Sequence, residues 1–246
     1  VLSYVSAMGN GPTREAIAAA GWRLLLSPVD RRNPGGLRYG LDNGAWPAFQ
    51  AWLRARQRRG QSDAAAMAEW QAGAWVEGQL SEDRFEDHLD RLGAGADWVV
   101  LPDIVACAES LSVSVRWLNR CLAATPVVLI AVQDGVTPAD VEPYVGTRVG
   151  VFLGGSTGWK LATAEMWGQW CAERPCVHPL STPDTPRRGA WFHFARVNTQ
   201  RRYRLAHAVG ADSTDGSSVA RFSSTLAPLD AARRQPDLFS PQRTAA

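Results

Sequence analysis

Gly210-Ala211-Asp212-Ser213-Thr214-Asp215-Gly216 places two carboxylates three residues apart, behind a stretch with helical character and in a segment that should end a buried strand. Four other stretches repeat the arrangement of a short apolar run followed by polar or glycine residues. They are Leu41-Asp42-Asn43-Gly44, Val100-Leu101-Pro102-Asp103, Gln133-Asp134-Gly135 and Leu153-Gly154-Gly155-Ser156. Polar groups at the carboxyl ends of successive parallel strands converge on one mouth of an α/β barrel. The pattern therefore predicts an α/β fold, a single-domain (β/α)8 TIM barrel, with one active site centred on Asp215.

Working outward, residues 126–132 form the strongest strand candidate, a continuous apolar run of the kind buried on both faces. Residues 22–27 and 149–153 read the same way, and residues 81–92 carry Phe85, Leu89 and Leu92 at helical spacing. Thr137-Pro138-Ala139-Asp140 has a capping hydroxyl, a proline at the first helical position and an acid in the first turn, which marks a helix start. The segment 28–36 is turn-rich and too short for a helix, which breaks the β-α alternation. Residues 60–78 read as an insertion or a surface helical excursion. The barrel is expected over residues 1–225, and the Pro-, Gln-, Ala- and Arg-rich stretch 226–246 as a weakly ordered tail.

A length of 246 residues suits one barrel, and 46% hydrophobic with 20% charged residues suits a sizeable core. No run of about 20 apolar residues spans a membrane, and the first residues lack the pattern of a signal peptide. Four cysteines, Cys107, Cys121, Cys171 and Cys176, do not read as a disulfide framework, so a cytoplasmic setting is expected. Lys160 is the single lysine among 26 basic residues. That arginine excess fits G+C-rich coding at least as well as phosphate recognition.

Three carboxylates and a glutamine at one mouth have a recognisable chemistry. Neighbouring carboxylates push their pKa values apart, so that one serves as nucleophile and another as acid. Carboxylate pairs around an anomeric carbon break glycosidic bonds. An amide such as Gln133 offers both donor and acceptor to a heterocycle, and Gly154-Gly155 lets backbone approach a flat ligand. Any one Asp behind a strand is more often a cap or turn former. Five such stretches in register are a stronger signal.

The order Asp42-Asn43-Gly44, Asp103, Val132-Gln133-Asp134-Gly135, Gly154-Gly155 and Gly210-Ala211-Asp212-Ser213-Thr214-Asp215 resembles the tRNA-guanine transglycosylase superfamily, from about residue 37 to residue 222. The short chain, Phe152-Leu153-Gly154-Gly155-Ser156-Thr157 and Asp212-Ser213-Thr214-Asp215-Gly216 resemble its phage and bacterial DNA-modifying branch, which exchanges guanine in DNA for a 7-deazaguanine such as preQ0. The resemblance implies Asp215 as the nucleophile at C1′ and Asp42 as general acid/base. It implies Asp103 and Gln133 as ligands of the purine's polar edge, Gly154 and Gly155 as backbone contacts, and Asp212 as a structural brace. DNA and the free deazapurine would be the partners, with no cofactor and no metal; a homodimer stays open.

This sequence departs from the tRNA enzymes in two places. No cysteine follows Cys176, so their downstream zinc stretch has no counterpart, and Ser217-Ser218-Val219 replaces the Pro-Thr-Arg that follows their nucleophile. Cys171, Cys176 and His178 offer too few ligands for structural zinc, which wants four, and read as buried thiols. Of the arginine clusters, Arg31-Arg32 and Arg54 to Arg59 stand apart, while Arg196, Arg201 and Arg202 precede the nucleophile and are expected to contact phosphate. Trp46 and Trp159 lie close behind site stretches and are expected to pack rather than stack on a base. Three alternatives remain open beside DNA-guanine exchange. They are a tRNA or free-nucleoside substrate, simple hydrolysis of the base, and a binding barrel without activity.

Overall fold

The computed structural model describes residues 1–6, 11–29, 33–78 and 81–234. Its eight strands are parallel and close on themselves in chain order, the first pairing with the last. They are β1 (Leu2–Ser6), β2 (Arg23–Leu26), β3 (Tyr39–Leu41), β4 (Val99–Val100), β5 (Val128–Val132), β6 (Val149–Leu153), β7 (Phe192–Phe194) and β8 (Ser213–Gly216). The chain is a single (β/α)8 barrel.

The two-residue period of the strands divides the core into two layers. Leu25, Leu129 and Ala131 point inward and pack with Tyr4, Trp98, Val100 and Trp191 inside the barrel. Leu24, Leu26, Val128, Ile130, Val132, Phe192 and Phe194 point outward against the helices. All five residues of β5 are buried, as its unbroken apolar run predicts, and it runs alongside β6 from Val128↔Val149 to Val132↔Leu153. The same period turns His193 of β7 inward, between the outward-facing Phe192 and Phe194, and its side chain meets Ser213 and Asp215 of β8.

The helices are α1 (Gly11–Ala19), α2 (Ala45–Arg58), α3 (Asp63–Glu69), α4 (Trp75–Gly78), α5 (Glu82–Leu92), α6 (Ser110–Arg116), α7 (Leu118–Ala124), α8 (Pro138–Val141), α9 (Thr157–Ala172), α10 (Gln200–Ala208), α11 (Ser218–Arg221) and α12 (Leu226–Arg234). The described part of the β2–β3 connection holds no helix, in line with its turn-rich sequence. The helix start expected at Thr137 is α8, where Thr137 forms a capping box with Asp140.

Residues 60–78 are a helical excursion with a core of its own. Phe49 and Trp52 of α2, Ala66 of α3 and Trp70 pack over Ile104, Val105 and Val113. The Trp70 indole donates to the Val105 carbonyl at 2.8 Å, so the excursion pins the loop after β4.

The expectation of a weakly ordered tail from residue 226 is corrected as far as residue 234. Leu229 and Ala232 of α12 are buried, Asp230 accepts from the Trp22 indole at 2.8 Å, and Arg233 donates to the Ala20 carbonyl at 2.9 Å. An apolar i, i+3 pair hidden among Ala, Pro and Arg is enough to dock one short helix, and Pro228 sits in its first turn, where proline is tolerated. Residues 235–246 of the expected tail, and Arg31-Arg32, lie outside the described residues. Among the described residues no helix is long and apolar enough to cross a membrane.

Candidate active site

Every strand-end stretch singled out in the sequence opens onto one cavity of about 970 Å³ at the carboxyl mouth of the barrel. Asp42 follows β3, Asp103 comes after β4, Gln133 follows β5, Gly154-Gly155 follow β6 and Asp215 lies within β8; all line it. Asp212 does not. It precedes β8, at the opposite end of that strand, where it accepts from His178 (2.9 Å), Arg187 (2.6 Å) and the Phe192 amide (2.9 Å). Its role is the structural brace expected of it, for the 179–189 loop and not for the site.

Asp215 is 5% exposed and fully engaged. Its Oδ1 accepts from His193 Nε2 at 3.2 Å and from the Arg196 amide at 2.9 Å, and its Oδ2 from the Ser6 hydroxyl at 2.8 Å. Burial pushes its pKa up, but the His193, Arg196 and Ser6 hydrogen bonds outweigh burial and hold it below the usual carboxylate value. Asp215 is therefore an anion at neutral pH.

His193 had no signal in the sequence beyond an inward-facing position on a strand. The Trp191 indole only donates, and it donates to Ser213 Oγ at 2.7 Å. The Asp215 anion can only accept, so His193 Nε2 carries the proton at 3.2 Å, and Nδ1 of the neutral ring accepts from the Ser213 hydroxyl at 2.8 Å. Burial lowers the imidazole pKa despite the carboxylate beside it, so the ring is a neutral donor, stacked on Phe152 at 4.6 Å.

Asp42 has the opposite electrostatics. Burial, then the charges of Asp215 and Asp103, raise its pKa to about 7 against the pull of the Asn43 and Gly44 amides. Burial likewise raises Asp103 to about 6, moderated by hydrogen bonds from Asn43 and Gln133 and by Arg196. Asn43 joins these two acids. Its Nδ2 donates to Asp103 Oδ1 at 2.7 Å and to the Leu101 carbonyl at 2.6 Å, while its Oδ1 caps α2 through the Ala45 amide at 2.9 Å.

Gln133 is tied into the site by hydrogen bonds of its own. Its carbonyl accepts from the Ala106 amide at 3.0 Å and the Gly155 amide at 2.7 Å, and its amide group donates to Asp103. With its acceptor committed, Gln133 holds Asp103 in place and keeps one N–H for a ligand. The backbone amides of Gly154 and Gly155 are also engaged, to Val132 O and Gln133 Oε1, so both glycines present a bare wall and not a pair of free donors. A Cβ on Gly154 would stand 2.7 Å from Gln133 Nε2, and Gly155 adopts φ +72° against the Trp159 ring. Trp159 thus packs behind the wall, as expected.

The arginines separate. Arg196 is half-buried in the cavity wall, donates to the Gly155 carbonyl and stacks its guanidinium 4.3 Å over the 41% exposed Trp46. It lies among the charges of Asp215, Asp103 and Asp134 and gives Trp46 a place at the mouth. Arg202 lines the cavity together with Arg221 and Asn198, and it donates to the Arg196 carbonyl at 3.1 Å. Arg201 is exposed and lines no part of the cavity.

Among the described residues no group of three or more His, Cys, Asp or Glu side chains is arranged to hold a metal ion. Cys171 is buried, Cys176 partly so, and His178 is bonded to Asp212.

No protein-family model matches the chain, and no curated protein matches it. Among solved structures it is similar to tryptophan synthase from M. tuberculosis. One is the aminoacrylate- and BRD0059-bound form (TM-score 0.48, 12% identity, 95% of this chain and 89% of that one). Another is the aminoacrylate-bound form (TM-score 0.45, 13% identity, 95% and 90%). At that distance the likeness carries no argument about chemistry. The barrel stands on its own strand order, and the function must be read from the site.

Proposed function

We propose that this protein is an enzyme, a transglycosylase that exchanges guanine in DNA for a 7-deazaguanine base. The observation that supports this reading best is one cavity in which an anionic Asp215 is opposed by an Asp42 that keeps its proton up to about pH 7. Two carboxylates with separated pKa values are the equipment for a double displacement at an anomeric carbon.

In the first step Asp215 Oδ2, which keeps lone pairs beside its Ser6 hydrogen bond, attacks C1′ of the deoxynucleoside. The C1′–N9 bond breaks, its electrons pass to the purine, and Asp42 protonates the departing guanine. An ester between C1′ and Asp215 remains. In the second step the Asp42 carboxylate removes the N9 proton of the incoming base, N9 attacks C1′, and the Asp215 carboxylate departs. Two inversions leave the configuration retained. Asp103, anionic above about pH 6, accepts hydrogen bonds from the N–H edge of guanine. The Gly154-Gly155 wall leaves room for the flat ring.

A cavity of about 970 Å³ is at the upper end for small-ligand sites and accommodates a nucleotide as well as a free base. Its rim after β7 and β8, where barrels commonly bind phosphate, carries Arg202, Arg221, Asn198 and Ser217. A guanine in duplex DNA must leave the stack to reach the floor of such a site.

The test is DNA carrying radiolabelled guanine, incubated with and without preQ0. Label released only in the presence of preQ0 supports exchange. Release without it makes the protein a glycosylase, and activity confined to tRNA or a nucleoside keeps the site and changes the substrate. Two variants refine the reading. Arg202→Ala should weaken DNA binding and lower its salt slope by about one, with Arg201→Ala near wild type, measured by anisotropy titrations at several salt concentrations. Gly154→Ala should push Gln133 off Asp103 and lower kcat/KM by about 10- to 100-fold with an unchanged fold, measured by steady-state exchange and circular dichroism.

A further inference from the structure

Lys160 has no part in the chemistry above, yet its surroundings are unusual. It is the single lysine among 26 basic residues, and it is 0% exposed. Its ammonium lies 5.4 Å over the Phe194 ring and donates to the Ala195 carbonyl at 2.5 Å. That carbonyl belongs to the peptide group whose N–H, from Arg196, donates to Asp215 Oδ1 at 2.9 Å.

We propose that Lys160 is a positioning residue for the Asp215 nucleophile, acting through the Ala195–Arg196 peptide group. In a trans peptide the C=O and N–H point in opposite directions, so a donor gripping the oxygen aims the hydrogen the other way. A cation at the oxygen also polarises the unit and strengthens its N–H as a donor in a low-dielectric site. The grip is needed because Arg196 has φ +60°, a left-handed backbone that non-glycine residues seldom adopt. Such strain persists only where the surroundings hold it. Arg202 secures the next peptide by donating to the Arg196 carbonyl.

A purely structural role fits poorly. A buried ammonium is costly, and a well-packed apolar side chain of similar volume is commonly neutral or stabilising in its place. The charged and titratable groups facing Lys160 are His193 on β7, Arg196 after it, Arg202 on α10 and Asp215 on β8. Burial and the two guanidinium groups pull Lys160 down to about 7, with Asp215 pulling the other way.

The experiment compares wild type, Lys160→Met and Lys160→Gln by thermal melting, by a ¹³C NMR titration of the Asp215 carboxyl, and by exchange kinetics; only the kinetics rest on the transglycosylase reading. The expected result for Lys160→Met is a melting temperature at or above wild type and an Asp215 titration displaced upward by about one pH unit. Its kcat should fall about 10- to 100-fold with little change in KM, a loss typical of removing a partner behind a reacting group. Lys160→Gln, which still donates to the carbonyl, should fall between the two. An unchanged Asp215 titration in Lys160→Met overturns the proposal, as does unfolding of both variants, which would make the lysine a fold requirement. If the wild-type protein exchanges no base at all, the functional reading falls, and the Asp215 titration still decides the role of Lys160.

Discussion

Asp215→Asn should reduce guanine exchange by about 10⁴-fold or more, because it removes the atom that bonds to C1′ and not merely a binding contact. The fold should survive. With its carbonyl at the Oδ1 position, an asparagine still accepts from His193 Nε2 and the Arg196 amide, and its NH₂ at the Oδ2 position donates to the Ser6 hydroxyl, which reverses its role. Two measurements check the expectation. Label release from guanine-labelled DNA should vanish in the variant, and a covalent protein–DNA adduct, trapped by denaturation in the absence of incoming base, should form with wild type only. Wild-type exchange by Asp215→Asn would exclude Asp215 as nucleophile.

The second large effect is expected at Asp42. Asp42→Asn should lower kcat/KM by about 10²- to 10⁴-fold, the usual contribution of a positioned acid. Its pH profile should also change shape. Wild type needs Asp103 ionised, above about pH 6, and Asp42 protonated, below about pH 7, so its kcat/KM profile should be a narrow bell between those values. The variant should keep the acid limb and lose the alkaline one.

Stability should move the other way. The carboxyl of Asp42 has an ordinary value of 3.8 and is raised to about 7 in the fold, so the native state holds its proton more tightly than the unfolded chain. Its contribution is harmless below pH 3.8 and becomes destabilising as pH rises from there through about 7. Asp42→Asn should therefore be more stable than wild type at pH 8, by on the order of 2 kcal/mol since the open cavity screens part of the cost, and nearly equal to it at pH 4. Thermal melts at the two pH values decide this. A variant that is less active and more stable would mark Asp42 as a group held in an unfavourable state for chemistry.

The barrel was legible because its signals are local. The apolar run of β5, the capping box at Thr137 and the polar residue behind each strand are written in consecutive residues, and parallel strands then bring those residues to one mouth. Asp42, Asp103, Gln133, Gly154, Gly155 and Asp215 could be gathered on that ground alone. The helix at Leu226–Arg234 was missed because its two buried contacts are hidden in a composition that otherwise reads as a tail.

What the sequence determined by itself is thus the closed fold and the gathering of Asp42, Asp103, Gln133, Gly154, Gly155 and Asp215 at one mouth, without His193 or Ser6. Only the tertiary structure decided what each member does, because those properties depend on neighbours far apart in the chain. Asp215 is an anion through Ser6 and His193, while Asp42 keeps its proton through burial and the charges of Asp215 and Asp103. Gln133 became a brace once Ala106 and Gly155 took its carbonyl, and Arg196 turned inward on a left-handed backbone to lie against Trp46. Burial and through-space charge set protonation, and no spacing along one strand encodes them.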